Sequence, residues 1–147
     1  MAKVAVIAGS KSDEKIVQDV SEMLKEFGVE HEIQYLSSHR NRKKLESYII
    51  NSDADIFIAI AGLSAHLAGT IASMTIKPVI GVPLSVKLNG LDALFATVQL
   101  PTGVPVACVG IDNGKNASLL AIEILALKDE KLRDKLIDYR KGWEECY

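Results

Sequence analysis

Four consecutive polar residues, Ser37-Ser38-His39-Arg40, combine side chains suited to proton transfer and to anion binding. Histidine titrates near neutral pH, so His39 can give or accept a proton. The guanidinium of Arg40 can bind a phosphate or a carboxylate through two parallel hydrogen bonds, and the serine hydroxyls add donors. The alternative is a solvated loop that leads into the basic helix start at 42–44.

A second candidate segment, Gly9-Ser10-Lys11-Ser12-Asp13, stands between a predicted strand and a predicted helix. Glycine allows a close approach of backbone to a ligand, and free N–H groups at a helix start favour an anion. Ser10 and Ser12 add hydroxyl donors, and Asp13 can accept hydrogen bonds from ribose hydroxyls. The spacing matches neither a Walker loop nor a G-x-G-x-x-G fingerprint. A simple helix-capping turn is an equally good interpretation of this segment.

The third candidate segment, residues 61–69, consists almost entirely of small or apolar residues, with His66 as its one titratable group. Such a segment can form a tight wall of low polarity beside a ligand. A histidine in an apolar helix is more often a hydrogen-bonded core residue than a catalyst, and both interpretations stay open for His66. His31 lies early in a predicted strand, and we assign it no role.

Short apolar runs precede these segments and predict strands. They are rich in Val and Ile and are bounded by Gly, Pro, Ser or Asp. The runs are residues 3–8, 30–36, 55–60, 78–82 and 104–109. Three of them are apolar almost throughout, which is typical of a parallel sheet covered on both faces. The run 30–36 alternates polar and apolar residues, so we expect it nearer an edge of the sheet.

Amphipathic patterns between the runs predict helices. Ser12 or Asp13 can cap the first helix, and Gly28 is well placed to end it. Further helices are expected at 41–51, 64–74, 91–98, 117–127 and about 129–143. The helix at 64–74 carries no Asp, Glu, Lys or Arg, which predicts that a neighbouring helix or subunit buries it.

Strand–helix alternation of this kind predicts one α/β domain over residues 1–147, a three-layer α/β/α sandwich with right-handed crossovers. For five parallel strands we expect the flavodoxin-like order 2-1-3-4-5. Ligands of such sheets bind beyond the C-terminal strand ends. The chemistry should therefore lie in segments 9–13, 37–40, 61–67, 84–89 and 110–113. A flavodoxin-like electron carrier would fit the fold alone, but the histidines and the 5% aromatic content argue against it.

The composition is that of a globular protein, with 48% apolar and 24% charged residues and a formal net charge of −2. This charge excludes a general nucleic-acid surface. We find no signal-peptide pattern and no apolar run near the roughly 18 residues of a membrane span, so we expect a cytoplasmic protein without membrane contact. Cys108 and Cys146 match no metal-ligand or disulfide spacing. Cys108 lies in an apolar run and is expected in the core.

Taken together, the segments resemble the 5-(carboxyamino)imidazole ribonucleotide mutase family, the class I catalytic subunit of phosphoribosylaminoimidazole carboxylase. The resemblance covers nearly the whole chain and rests on several short motifs in one order. Besides the segments already quoted, these are Ala65-His66-Leu67, Pro78-Val79-Ile80-Gly81-Val82-Pro83, Gly90-Leu91-Asp92-Ala93-Leu94, Gln99-Leu100-Pro101 and Gly103-Val104-Pro105-Val106.

The resemblance implies an isomerase of purine biosynthesis that moves a carboxyl group from the exocyclic nitrogen to a ring carbon of aminoimidazole ribonucleotide. It implies no metal and no organic cofactor, and a homo-octamer with active sites at subunit junctions. By position, His39 would transfer the proton, and Ser10, Asp13 and Arg40 would hold the ribose phosphate. The implied substrate-binding set is Ser10, Asp13, Ser37, Arg40, Gly62, Ala65, His66 and Leu67, of which His66 and the backbone of 62–67 would line the carboxylate or carbon dioxide pocket.

The chain departs from the family pattern beside both candidate histidines. The family's Ser-Ala-His-Arg-Thr-Pro appears here as Ser-Ser-His-Arg-Asn-Arg at 37–42, and Gly-Gly-Ala-Ala-His-Leu-Pro-Gly appears as Gly-Leu-Ser-Ala-His-Leu-Ala-Gly at 62–69. Both changes remove a proline that would fix φ. Two other functions stay open: direct carboxylation of aminoimidazole ribonucleotide by carbon dioxide, and nucleotide binding without catalysis. Retention of Ala65-His66-Leu67 favours the mutase.

Overall fold

Five parallel strands form a single sheet in the order β2-β1-β3-β4-β5 in a computed structural model of the chain, which describes residues 3–143. The strands are β1 Lys3–Ala8, β2 Glu30–Tyr35, β3 Ile56–Ala61, β4 Val79–Pro83 and β5 Ala107–Cys108. The predicted strand order and the α/β fold class are confirmed, and the alternating strand, β2, lies at an edge.

Helices connect the strands and cover both faces of the sheet. They are α1 Glu14–Phe27, α2 Arg42–Asn51, α3 Leu67–Ala72, α4 Leu91–Val98, α5 Gly114–Ala126 and α6 Glu130–Lys141, with 3₁₀ turns at Lys11–Asp13 and Leu88–Gly90. No helix within residues 3–143 has the length and apolar character needed to cross a bilayer.

The two faces of the sheet bury two separate sets of apolar side chains. Val4 and Val6 pack with α1, α5 and α6, whereas Ala5 and Ile7 pack with α2 and α3. Neighbouring residues of a strand point to opposite faces, so a strand that is covered on both faces must be apolar throughout. This requirement explains the continuous apolar runs in the sequence.

Helix α1 ends as predicted but begins differently. Gly28 adopts the left-handed conformation (φ 74°) that terminates the helix, and its N–H reaches the carbonyl of Lys25 at 2.9 Å. At the other end, Asp13 makes no side-chain capping bond. Instead Oγ of Ser10 accepts from the N–H of Ser12 at 3.3 Å. Asp13 occupies the N-cap position of α1, as one of the two predicted alternatives, but a 3₁₀ turn precedes the helix and Ser10 makes the side-chain capping bond at the start of that turn.

Three other element boundaries differ from the predictions by three residues. Helix α3 begins only at Leu67, because the N–H groups of Ala65 and His66 donate to the carbonyls two residues back, at 2.8 and 2.7 Å, and not in the helical pattern. Strand β5 has two residues instead of six, since Pro105 has no N–H to donate to the ladder. Helix α5 begins three residues early, where Oδ1 of Asn113 accepts from the N–H of Asn116 at 3.0 Å.

Cys108 is half-buried in the short edge strand β5, so its predicted place in the core was wrong. Burial raises the pKa of its thiol. Cys146 lies outside the residues that the structure describes.

Candidate active site

The strand order brings three loops together at one end of the sheet. Because β1 lies between β2 and β3, the loops that follow these strands are neighbours. They enclose a cleft of about 530 Å³, to which the loop after β4 contributes one residue. The lining residues are Gly9, Ser10, Ser12, Asp13, Ser37, Ser38, His39, Arg40, Ala61, Gly62, Leu63, Ser64, Leu67 and Val86.

Most of the side chains predicted for the site line this cleft. Two of them do not: Ala65 is buried, and His66 stands behind His39. Val86 is a lining residue that the sequence analysis did not single out. The signal that could have found it was its position just after the fourth strand, in a segment expected at the ligand end.

His39 and His66 form a hydrogen-bonded pair at the mouth of the cleft. Nε2 of His39 lies 3.0 Å from Nδ1 of His66, and the rings meet edge to face with centroids 5.0 Å apart. Such a bond requires one of the two nitrogens to carry a proton. If His39 donates, its Nδ1 is left as a free base; if His66 donates, Nδ1 of neutral His39 carries the proton. The pair can therefore present His39 as a base or as an acid.

Ser37 shapes the turn that carries His39 and Arg40. Its Oγ accepts from the backbone N–H groups of both residues, each at 3.2 Å. Oδ1 of Asn41 in turn accepts from the N–H of Ser37 at 2.5 Å. The hydroxyl of Ser37 therefore acts first as an acceptor that holds the loop, and its own proton remains for a ligand.

Arg40 joins the loops after β1 and β2. Its Nη2 donates to the carbonyl of Gly9 at 2.9 Å, and its side chain is otherwise exposed to the cleft and the solvent. A guanidinium has five N–H donors, so most of them remain for an anion. The bond to Gly9 therefore orients the guanidinium of Arg40 and leaves its other N–H groups free to bind an anion.

The loop after β1 contributes hydroxyls and a half-buried carboxyl group. The hydroxyl of Ser12 donates to Oγ of Ser10 at 2.9 Å. Burial raises the pKa of Asp13 above its ordinary value, although hydrogen bonds from the Ser10–Ser12 segment and the charge of Arg40 act in the opposite direction. A carboxylate in this position gains from additional donors, which the hydroxyls of a ribose can supply.

The wall formed by the end of β3, Leu67 and Val86 is largely apolar, with Ser64 as its hydroxyl-bearing residue. Ala61 and Gly62 end β3, and Leu67 is buried at the start of α3. A methyl group on Gly62 would overlap Cγ2 of Val86 and would lie 3.3 Å from its Cβ, so glycine is required for this close approach. The cleft thus has one polar, hydroxyl-rich side and one side from which water is easily excluded.

Among the residues described, no cluster of three or more His, Cys, Asp or Glu side chains is arranged to hold a metal ion. The third histidine, His31, has a structural setting far from the cleft. Its Nε2 lies 2.8 Å from Oγ of Ser21, and its Nδ1 lies 3.1 Å from the carbonyl of Val29.

Comparison with known proteins gives a consistent result. The family model described as AIR carboxylase matches residues 3–145. The N5-carboxyaminoimidazole ribonucleotide mutase of Methanocaldococcus jannaschii is 57% identical over 138 residues, which are 94% of this chain and 88% of that protein. The N5-carboxyaminoimidazole ribonucleotide mutase of Pyrococcus abyssi is 45% identical over 145 residues, covering 96% of this chain and 83% of that protein.

A crystal structure of PurE from Treponema denticola has a similar fold. It superposes with a TM-score of 0.87 at 26% sequence identity, over 99% of this chain and 93% of that one. The similarity therefore extends from the individual motifs to the arrangement of the whole sheet and its helices.

Proposed function

The chain belongs to the AIR carboxylase family, and from that premise we propose that it is an N5-carboxyaminoimidazole ribonucleotide mutase, an isomerase of purine biosynthesis. The observation that carries this proposal is the convergence of His39, Arg40 and Ser10 in one cleft of a chain whose relatives bear the mutase name. The reaction moves a carboxyl group from the exocyclic nitrogen of aminoimidazole ribonucleotide to a carbon of the imidazole ring.

The polar side of the cleft suits the ribose phosphate. Arg40, with its free N–H donors, binds the phosphate together with the hydroxyl of Ser10. Asp13 repels a phosphate, so the ribose hydroxyls lie on its side and donate to it. Ser37 contributes the remaining hydroxyl proton. With this division we expect the imidazole ring to lie toward His39 and the apolar wall, both of which line the same cleft.

The chemistry requires one bond to break, one to form and one proton to move. The C–N bond of the carbamate breaks and releases carbon dioxide, and its electron pair returns to the exocyclic nitrogen. The electron-rich ring carbon then attacks the carbon dioxide and forms the new C–C bond. His39 takes the proton from that ring carbon and delivers it to the exocyclic nitrogen. Atoms and charge balance without a cofactor, and the hydrogen bond to His66 sets which form of His39 is present.

The apolar wall keeps the two fragments together between these steps. Ala61, Gly62, Leu67 and Val86 offer no hydrogen-bonding side chain, so carbon dioxide lies against surfaces that do not favour water. Confinement of a small electrophile beside the ring carbon replaces a bimolecular encounter and can lower the barrier by several kcal/mol.

We also propose that the chain forms a homo-oligomer, an octamer, in the cytoplasm. Four apolar side chains share one stripe of α4 and the turn before it: Leu88, Leu91, Phe95 and Val98 are 72%, 48%, 56% and 46% exposed. A contiguous apolar stripe of this kind is typical of a protein interface. Oδ1 of Asp92, in the first turn of α4, is buried and has no hydrogen-bond partner among the described residues.

A label-retention experiment tests the mutase against direct carboxylation. The purified protein is mixed with the nucleotide carrying a ¹³C-labelled N-carboxyl group in a large excess of unlabelled bicarbonate, and the product is analysed by mass spectrometry. The mutase gives product that retains the label. Unlabelled product, formed equally fast from aminoimidazole ribonucleotide and bicarbonate, would indicate direct carboxylation. Tight nucleotide binding without product under either condition would indicate a non-catalytic protein.

A further inference from the structure

Two segments expected at the ligand end of the sheet, 84–89 and 110–113, are joined by one carboxylate. Oδ1 of Asp112 accepts from the N–H of Ser85 at 3.0 Å, and Oδ2 accepts from the hydroxyl of the same serine. The N–H of Asp112 donates to the carbonyl of Pro83 at 2.9 Å. A single residue after β5 therefore makes two hydrogen bonds to the segment that follows β4 and one to the last residue of β4.

The backbone at this position favours the residue that is present. Asp112 has a φ of 59°, in the left-handed region. Among residues with a side chain, Asp and Asn tolerate this region best. Asp112 therefore adopts the positive φ that the turn requires and also supplies the carboxylate that binds Ser85. Most replacements would strain the backbone and remove these hydrogen bonds.

Few other contacts hold the segment after β4. Residues 85–89 are exposed, and Leu88 and Asn89 both have positive φ values, 47° and 54°. Two contacts flank the segment: the N–H of Leu84 donates to the carbonyl of Ala61 at 3.0 Å, and Gly90 packs directly against Ile111. Within the segment, the N–H of Val86 donates to the carbonyl of Leu84 at 3.0 Å. Between these points, the bonds to Asp112 are the side-chain anchors of the segment.

The residue after Ser85 is Val86, the one side chain of this segment that lines the cleft. Cγ2 of Val86 lies against Gly62, so close that a Cβ on Gly62 would overlap it. Ser85 and Val86 are adjacent, so a shift of Ser85 displaces Val86 from Gly62. The orientation of this part of the apolar wall consequently depends on Asp112, which does not itself line the cleft.

From this chain of contacts we infer that Asp112 is a positioning residue for the reaction: by holding Ser85 it keeps Val86 against Gly62 and closes the apolar wall that retains carbon dioxide. The inference rests on the proposed mutase function. It predicts a specific defect, in which the carbamate still breaks but more of the carbon dioxide escapes before the ring carbon captures it.

The test compares Asp112→Gly with Asp112→Asn. Glycine accommodates the positive φ but removes every side-chain bond to Ser85. Asparagine accommodates the same φ and keeps an acceptor for the N–H of Ser85. Asp55→Ala is a matched control: Oδ2 of Asp55 also accepts a backbone N–H, that of Lys3 at 2.9 Å, but at the opposite end of the sheet.

The readout is the fate of the carbamate in a single turnover with excess enzyme, corrected for its spontaneous decay. We expect Asp112→Gly to release a roughly tenfold larger share as aminoimidazole ribonucleotide and free carbon dioxide, while Asp112→Asn and Asp55→Ala partition like the wild type. Val86→Ala, which shortens the wall itself, should reproduce the escape.

Amide hydrogen exchange at Ser85 and Val86 separates the inference from the proposed function. If the wild type does not convert the carbamate, the function fails, yet faster exchange in Asp112→Gly than in Asp112→Asn would still support the anchoring of the segment. If the wild type is an active mutase and Asp112→Gly partitions normally, the positioning role is wrong. Loss of retention in Asp55→Ala to the same degree would also overturn it.

Discussion

Nε2 of His39 lies 3.0 Å from Nδ1 of His66, although 27 residues separate them in the chain. His39 follows β2 and His66 precedes α3, so the pair connects the two outer loops of the cleft across the end of β1. We therefore propose that His66 acts on the substrate through His39 and does not itself line the pocket.

Replacement of His39 by Asn should remove proton transfer and leave the nucleotide contacts in place. We expect kcat to fall by about 10²–10⁴-fold, the usual contribution of a positioned acid–base group. The dissociation constant of aminoimidazole ribonucleotide, measured by calorimetry, should stay within about threefold of the wild type, since Arg40 and Ser10 are unchanged. Near-normal turnover of this variant would assign the proton transfer to another group.

His66 should tolerate a hydrogen-bonding substitute but not an apolar one. His66→Leu removes the partner of His39 and should lower kcat roughly tenfold, the upper range for one neutral hydrogen bond. His66→Asn can keep a polar atom near the position of Nδ1 and should lose less. The KM of the Leu variant should stay near the wild-type value, because His66 contacts His39 and does not line the cleft. A large rise in KM in both variants would instead place His66 in direct contact with the substrate.

Arg40 should control nucleotide affinity more than the chemical step. Arg40→Ala removes the phosphate ligand and the bond to the carbonyl of Gly9, and we expect KM to rise roughly 10- to 100-fold. Arg40→Lys keeps the charge but not the planar fork, so its KM should be intermediate and more sensitive to salt. The exposed neighbour Arg42 provides the control, and Arg42→Ala should leave KM unchanged. Equal effects of the two alanine variants would argue against a specific phosphate site.

Asp13 should cost stability at neutral pH. Burial raises the pKa of its carboxyl above the ordinary value of 3.8, so the ionised form is less favourable in the folded chain than in the unfolded chain. The carboxyl group of Asp13 therefore stabilises the fold in its protonated form, at pH values below its pKa in the unfolded chain. This stabilisation is lost as the pH rises through its pKa in the folded chain. Asp13→Asn should therefore melt slightly higher than the wild type at pH 7, and the difference should vanish below about pH 3.8.

Thermal unfolding between pH 3 and pH 8 measures this effect, with Asp19→Asn in α1, the helix that follows Asp13, as the control. The same Asp13→Asn variant should bind the nucleotide more weakly, because its amide replaces one of the two acceptor oxygens. A melting temperature below that of the wild type at pH 7 would show that the hydrogen bonds of the carboxylate outweigh its burial.

The apolar stripe of α4 should maintain the oligomer. A charge introduced by Phe95→Glu or Leu91→Glu would be buried at a subunit interface, and we expect light scattering to show a shift from about 128 kDa, eight times the 16.0 kDa chain, to smaller species. Ile50→Glu places the same charge on an equally exposed apolar residue of α2 and should leave the mass unchanged. An octamer that survives the α4 substitutions would show that another surface holds it.

Much of the architecture follows from local sequence patterns. A continuous apolar strand such as 56–61 indicates that both faces of the sheet are covered. Gly28 ends α1 because the end of this helix requires a residue in the left-handed conformation. The general rule for parallel sheets then places the ligand end beside residues 9–13 and 37–40, where the cleft is found. These features depend only on residues that are close in the chain or on the pattern of strands, and both can be read from the sequence.

Other features depend on contacts between distant segments, and only the tertiary structure decides them. The bond between His39 and His66, the position of Val86 over Gly62, and the anchoring of Ser85 by Asp112 each join loops that follow different strands. Periodicity gives the type of an element but not the angle of a loop that leaves it. The sequence by itself determined which residue types reach the ligand end of the sheet. Packing between loops that follow different strands decided which of those residues touch. Hydrogen bonds and close contacts depend on distances of a few ångströms, and no local pattern encodes such distances.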